Sequence, residues 1–429
     1  MWRVNRFSFL TGMVTIGLNA TVADAANWPS WRGNLDGSGI TPETGLPVNW
    51  DRNQNIRWRV PLPDRGNSSP IVWGDKVFIT QPIEKEHRRT VMCFQRGDGR
   101  LLWQNGVTYA KPEETHKTNP YCSGSPVTDG RHVVANFASA GLFCYDVDGN
   151  ELWRRDFGPQ QHIWGNGTSP ILFRDLCILY HGPGQHSMLY CLDKLTGKTL
   201  WKRKVEEPNQ PDRQDGFRGQ DGGINGAFST PIVIRFGGRD ELILSEAGTL
   251  RALNPRTGEE LWHCHGLNPL IYTSPVYGEG LVVSMGGYMG ASIAVKPGGS
   301  GNVTSRRIWR NERSKKNRLG TGVIREGYVY LVNMSGFFEC VNLKTGRQLW
   351  SERLSASLSN PASWASPILS GDKIYVTNQS GDTHILRPRE VPDCIDAGPS
   401  ADATPAEGRR AAQEREARSE THVDAYAVR

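Results

Sequence analysis

Apolar positions in this chain come in short runs, and Gly, Asp, Asn or Pro breaks each run after a few residues. One phrase returns repeatedly: Leu192 to Trp201 (LDKLTGKTLW), Leu253 to Trp262 (LNPRTGEELW) and Val341 to Trp350 (VNLKTGRQLW), with looser copies at Cys93 to Trp103 and Cys144 to Trp153. In all five a Gly stands four residues before the Trp, a Leu stands directly before it, and Asp or Thr precedes the Gly. This pattern predicts a strand, a tight turn and a returning strand. The Gly supplies a φ > 0 turn position, and Asp, Asn or Thr side chains bond the local backbone. Leu and Trp then point to opposite faces of the returning strand. One large ring at the same point of every unit reads as a packing device between units.

A second landmark is a Ser-Pro or Thr-Pro pair that opens an apolar strand, at Ser69, Ser125, Ser169, Thr230, Ser274 and Ser366, with Thr321-Gly322 as a weaker seventh. Pro is tolerated at a strand's first residue. A short turn and a second strand follow, so the unit is four antiparallel strands. The closing residues Trp58, Trp103, Trp153, Trp201, Trp262, Trp309 and Trp350 recur at intervals of 41 to 61 residues. That is the period of a β-propeller blade. The longest interval holds a polar, Gly-rich insertion, 206–227, expected to be a loop on one rim. In the fifth unit Lys296 to Arg307 replaces the usual turn. The ends complement each other: 56–60 is a fourth strand without its first three, and 366–386 is three strands without a fourth. Pairing them closes an all-β ring of seven blades over 56–388 and hides the edge strands.

Composition supports this. Of 429 residues, 48 are Gly and 14 Trp, against 7 Met, which suits short strands joined by turns. A net charge of +6 without a basic stripe argues against nucleic acid as a partner. Residues 1–25 read as a cleavable secretory signal: Arg3 and Arg6, an apolar stretch over 7–22, then Ala23-Asp24-Ala25, with cleavage expected after Ala25 and export to the periplasm or beyond. The position after cleavage is Ala26, not Cys, so no lipid anchor is expected there, and no later run is long enough to span a membrane. Residues 26–55 form an irregular lead-in over one edge or face. The charged stretch 389–429 has few large apolar residues and is expected to be disordered. Cys93, Cys144, Cys191 and Cys340 share one repeat position, too far apart for bridges, and read as small buried residues.

The repeat resembles the tryptophan-docking repeat of the PQQ-like β-propeller superfamily over about 56–388. That group holds quinoprotein alcohol dehydrogenases and the propeller subunit of the outer-membrane β-barrel assembly machine. Trp28-Pro29-Ser30-Trp31-Arg32-Gly33, Asn67-Ser68-Ser69-Pro70 and Trp164-Gly165-Asn166-Gly167-Thr168-Ser169-Pro170 are similar to exported PQQ-like repeat proteins of planctomycete-type bacteria. Such relatives often run to an eighth blade, where this chain carries its charged tail. The dehydrogenases carry adjacent paired cysteines and an acidic calcium site. This chain has no Cys-Cys pair, and no matching set of catalytic Asp, Glu and Asn is evident.

Residues just before each first strand should face the central channel. They are Arg65, Asn67, Asn119, Tyr121, His162, Trp164, Asn166, Asn225, Tyr272, Arg318 and Trp364. Aromatic rings among amides and arginines suit a sugar, quinone or peptide; a water-filled channel with mutually satisfied polar groups accounts for them too. His162 lacks a nucleophile or carboxylate partner in sequence and reads as a loop histidine. His181 and His186, the His263-Cys264-His265 stretch, and Asp146 to Asn150 read as turn or strand chemistry, so no metal site is expected. The resulting expectation is a monomeric, cofactor-free binding or scaffold protein that meets a protein or glycan through the channel mouth and loop 206–227. A PQQ- and calcium-dependent oxidoreductase, or a soluble outer-membrane protein assembly factor, are the alternatives; fold alone decides none of them.

Overall fold

The computed structural model describes residues 26–51, 54–184, 186–207, 225–288, 290–312, 317–357 and 362–388, together with the backbone strands Cys394–Ile395 and His422–Tyr426. The signal segment 1–25 and most of the insertion 206–227 and of the tail 389–429 lie outside the described residues.

Seven sheets of four consecutive antiparallel strands follow one another along the chain. The first holds Ile71–Trp73, Lys76–Ile83, Arg88–Gln95 and Leu101–Thr108; the second runs from Val127–Thr128 to Glu151–Arg155; the third from Ile171–Phe173 to Thr199–Lys204. The fourth begins at Ile232–Phe236, the fifth at Val276–Gly278, the sixth at Val323–Arg325 and the seventh at Ile368–Ser370. Each sheet buries both faces against its neighbours. Between the first and second, for example, Ile71, Phe78, Val91 and Cys93 meet Val133, Ala135, Phe143 and Tyr145. The seven described cysteines are buried and unbridged.

The turn Gly and the closing Trp of the repeated phrase turn out to be one device. Five of the seven closing Trp residues lie flat on the turn Gly of the following blade; Trp262 and Trp350 do not, and the indole N–H of Trp350 is buried without a hydrogen-bond partner, so the expected docking role does not extend to it. A Cβ on Gly99 would sit 2.6 Å from Trp58, on Gly149 2.6 Å from Trp103, on Gly197 2.7 Å from Trp153, on Gly258 2.7 Å from Trp201 and on Gly346 2.6 Å from Trp309. All five glycines also hold positive φ, between 67° and 91°. Each indole N–H then donates to a carbonyl of the same turn: Trp58 to Arg96, Trp103 to Val147, Trp153 to Lys194, Trp201 to Pro255 and Trp309 to Leu343, at 2.7 to 3.0 Å. The fifth blade, whose usual turn is replaced, breaks the pattern. There Trp262 donates instead to the fully buried Glu241 at 2.8 Å, and Gly301–Asn302 pairs parallel to its strand.

The Ser/Thr-Pro landmark also ties blades together. The backbone N–H of Ser69 donates to the Ser125 hydroxyl, Ser125 to Ser169, Ser169 to Thr230, Thr230 to Ser274, Ser274 to Thr321 and Thr321 to Ser366, at 2.8 to 3.1 Å. This chain of bonds passes through all seven first strands. It explains why Thr321 keeps its hydroxyl where the following Pro is lost.

Ring closure differs from the expected pairing of 56–60 with 366–386. The fourth place of the seventh sheet is taken by Cys394–Ile395. Ile56–Pro61 pairs instead with His422–Tyr426, in a separate two-stranded sheet. Cys394–Ile395 stands only a few residues after Thr383–Leu386 in the sequence, so this pairing closes far less chain than one with a strand from the other end.

The lead-in crosses the channel. Trp28 exchanges backbone bonds with Val72 of the first blade, Pro29 accepts from Thr128 of the second, Leu35 from Val233 of the fourth and Gly39 from Leu369 of the seventh. Ile40–Thr41 lies parallel on Ile368–Ser370. At the centre Arg32, 3% exposed, donates to five carbonyl oxygens: Gly37 and Ser38 of its own segment, Thr321 and Gly322 of the sixth blade, and Pro367 of the seventh, at 2.8 to 3.0 Å. Gly33, Gly37 and Gly39 hold positive φ with no room for a side chain against Trp28, Ile232 and Arg32. These contacts fall after the Ser/Thr-Pro positions, so the lead-in plugs the end of the channel towards which the first strands run.

Candidate functional site

The residues singled out ahead of the first strands lie at the opposite mouth. The structure brings eight of them together over the first five blades. Asn67 donates to the Thr118 carbonyl at 2.9 Å, and Asn119 to the carbonyls of Trp164 and Asn166 at 2.6 and 3.1 Å. Asn166 donates to Gly182 at 2.6 Å. Tyr121 donates its hydroxyl to the Glu113 carbonyl at 3.1 Å. These amides work as staples between consecutive blades, which leaves them little capacity for a ligand.

His162 is buried and fully engaged. Its Nδ1 accepts the Trp164 N–H at 3.2 Å, so Nε2 carries the proton and donates to the Asn225 carbonyl at 3.1 Å. Burial, opposed by the Asn225 contact, pushes it down to about 4. A neutral imidazole with both nitrogens occupied is a positioning element, not a general base. Aromatic contacts continue the wall: His116 stands 4.4 Å from Trp164, and Phe228 packs against His162 at 5.4 Å and Tyr272 at 5.3 Å.

Three of the candidates stand apart from this group. Arg65 is exposed on the loop before the first blade. Arg318, in the sixth blade, is turned inward and pairs at 2.8 Å with Glu339, which is fully buried and also accepts from Asn333 at 2.8 Å. Trp364 lies in the seventh blade, and its indole N–H, like that of Trp164, is buried without a hydrogen-bond partner. Ile163, between His162 and Trp164, is 45% exposed. The open mouth therefore offers apolar and aromatic surface over a closed polar network.

The remaining candidates resolve as turn and strand chemistry. Asp146 accepts from the backbone of Asp148 and Asn150 and from the Asn150 amide, all at 2.8 to 2.9 Å. His181 is buried beside Phe157 and pushed down to about 4 by burial, against opposing contributions from Gly158 and Asp156. His263 and His265 share one face of their strand, bonded to Glu260 and Thr249 respectively. Among the described residues no three His, Cys, Asp or Glu side chains converge as a metal site.

Sequence reading missed three features. Ser and Thr were noted for the Pro that follows, although the hydroxyl was the constant. Arg32 was visible only as part of a motif; the three glycines after it, spaced for close approach, were the available signal. Arg89, buried with its guanidinium 3.4 Å over the Tyr121 ring, had no signal, since the two meet only through folding.

A ring of four-stranded sheets locked by Trp-on-Gly contacts defines a PQQ-like β-propeller. The comparisons narrow this further. The family model described as outer membrane protein assembly factor BamB matches residues 41–217, 87–266 and 246–390, and the chain belongs to that family. The outer membrane protein assembly factor BamB of Burkholderia pseudomallei is 21% identical over 392 residues, 81% of this chain and 91% of that protein. Its counterpart from Yersinia pestis is 23% identical over 309 residues, 71% of each. The crystal structure of BamB from Moraxella catarrhalis superposes with a TM-score of 0.57 at 14% identity, covering 85% of this chain and 99% of that one.

Proposed function

We propose that this protein is an exported, non-catalytic propeller that serves outer-membrane protein assembly as a binding platform on the periplasmic side. The observation that carries this reading is the family match, which runs through the propeller from 41 to 390. The mouth is consistent with it. The polar side chains there staple blades, His162 is occupied, and the surface left over is aromatic and apolar, which suits a protein partner better than a reacting substrate. With the lead-in plugging the other end, a partner approaches from the side of Trp164, Phe228 and Tyr272.

The test is genetic and biochemical. A strain lacking this chain should lose folded, heat-modifiable β-barrel proteins from its outer membrane, and the full-length chain should restore them. Unchanged β-barrel levels would overturn the reading. Calorimetric titration with PQQ and calcium, alongside a dye-linked alcohol oxidation assay, should give neither binding nor turnover; tight binding with turnover would replace the platform with an oxidoreductase.

A further inference from the structure

Among the described residues, Glu260–His265 is the only outer strand of the seven blades that is paired along both edges. Its inner edge pairs with Thr249–Leu253. Its outer edge takes the parallel strand Gly301–Asn302, and the His265 N–H donates to the Thr304 hydroxyl at 3.0 Å. The irregular stretch Lys296 to Arg307 thus ends up as a brace on this strand. A strand braced in this way holds its side chains in place better than a free edge does.

His263 and His265 stand two residues apart and project from one face of the strand, while Cys264 between them turns to the other, buried face. The two rings lie 4.9 Å apart, centroid to centroid, at 60°. His263 is half-buried and His265 exposed. Each ring is anchored through its Nδ1. His263 meets Glu260 Oε1 at 2.5 Å, and His265 meets the Thr249 hydroxyl at 3.1 Å. Glu260 is held in turn: its Oε2 accepts from Arg251 and, at 3.4 Å, from Arg203 of the third blade. A carboxylate accepts only, so the proton of His263 sits on Nδ1 and its Nε2 presents a lone pair. Neither Nε2 has a partner among the described residues.

We propose that His263 and His265 chelate one divalent transition-metal ion of the copper or zinc type through their Nε2 atoms, with water filling the remaining positions. Imidazole nitrogens suit such ions, whereas calcium and magnesium take oxygen ligands. A metal-bound histidine donates its other ring N–H to a carboxylate or similar acceptor, which fixes the ring and raises its basicity. Glu260 and Thr249 stand in those two places. The neighbouring cations are engaged elsewhere: Arg251 with Glu246 at 2.8 Å as well as with Glu260, and Arg307 with the His265 carbonyl at 2.7 Å. This site uses none of the mouth residues and stands independently of the assembly reading.

The experiment titrates copper(II) chloride into the mature full chain near neutral pH, followed by calorimetry and electron paramagnetic resonance. The first equivalent should bind with two imidazole nitrogens in its hyperfine pattern. H263Q and H265Q should each lose that two-nitrogen signature. E260Q keeps both ligands and should weaken binding about tenfold, as loss of an orienting acceptor does. Circular dichroism checks the fold of each variant. H265Q alters an exposed ring and carries the test even where H263Q or E260Q does not fold. A two-nitrogen signature that survives H265Q would put the copper on other histidines and overturn the proposal, as would a wild-type spectrum that lacks it. Equal affinity in E260Q and wild type would overturn the positioning role of Glu260.

Discussion

Trp153 lies face-on against Gly197, so close that a Cβ on the glycine would sit 2.7 Å from the ring. The same indole donates to the Lys194 carbonyl at 2.9 Å, inside the turn that Gly197 closes. Blade-to-blade docking here is therefore steric and polar at one point. Gly197→Ala should be destabilising twice over, through the ring contact and through its φ of 67°, by about 1–3 kcal/mol. Trp153→Ala, and equally Trp201→Ala, should cost about 3–5 kcal/mol as large aromatic truncations do. Urea denaturation read by tryptophan fluorescence checks both; an unchanged midpoint would refute the docking role.

The hydroxyl chain makes a different kind of prediction. Ser169→Ala leaves the buried N–H of Ser125 without its acceptor at 2.9 Å, which should cost about 1–3 kcal/mol. Thr321→Ser should be nearly neutral and Thr321→Val should not, because the Ser274 N–H needs only the oxygen. The difference in melting temperature between those two variants isolates the hydrogen bond from the side-chain volume.

Arg32 joins the lead-in to the sixth and seventh blades through the carbonyls of Thr321, Gly322 and Pro367. Arg32→Lys keeps a charge but cannot reach five acceptors with one ammonium. Both Arg32→Lys and Arg32→Ala should lower stability by at least about 3 kcal/mol, since several buried carbonyls lose their donor. Limited proteolysis should then cut within 26–55 before it cuts the blades. Co-release of blades and lead-in at one rate would contradict a plug that can detach.

Two buried histidines oppose folding as the pH falls. His162 and His181 are held neutral, pushed down to about 4 by burial. Below the ordinary histidine value the unfolded chain takes up protons that the folded chain refuses. Their contribution to stability should therefore fall as pH drops from about 6.5 towards 4. Asp129 extends the trend. Burial alone would raise it, but Lys194 and the His132 and Arg131 backbone N–H groups hold it well below the usual carboxylate range, so its contribution disappears only at lower pH. Glu113, Glu207 and Glu246, raised by burial, oppose this trend, so the histidine contribution is read as the difference in melting temperature between wild type and H162Q with H181F, which should narrow as pH drops across the window.

Much of this architecture could be read from the chain because a blade is a local object. The Gly turn, the Leu-Trp pair and the Ser/Thr before the first strand are set by turn chemistry and two-residue alternation within a few tens of residues. Even the irregular fifth blade was visible, at Lys296 to Arg307. The consequence was not: Trp262 finds a buried carboxylate, Glu241, where its siblings find a backbone carbonyl. Spacing could not tell a ligand contact from a structural bond, and Asn119 and Asn166 prove to donate to backbone carbonyls.

The sequence by itself determined the repeating unit and its strand order, since these follow from contacts near in the chain, and it marked the Trp that docks five of the units on the next. Only the tertiary structure decided where the lead-in goes, which strand Ile56–Pro61 pairs with, and that Arg32 and Arg89 end up buried among partners contributed by other blades or linkers. Those outcomes rest on pairs far apart in sequence. Their energies depend on how the ring brings backbone carbonyls and side chains into reach, and no local pattern records that geometry.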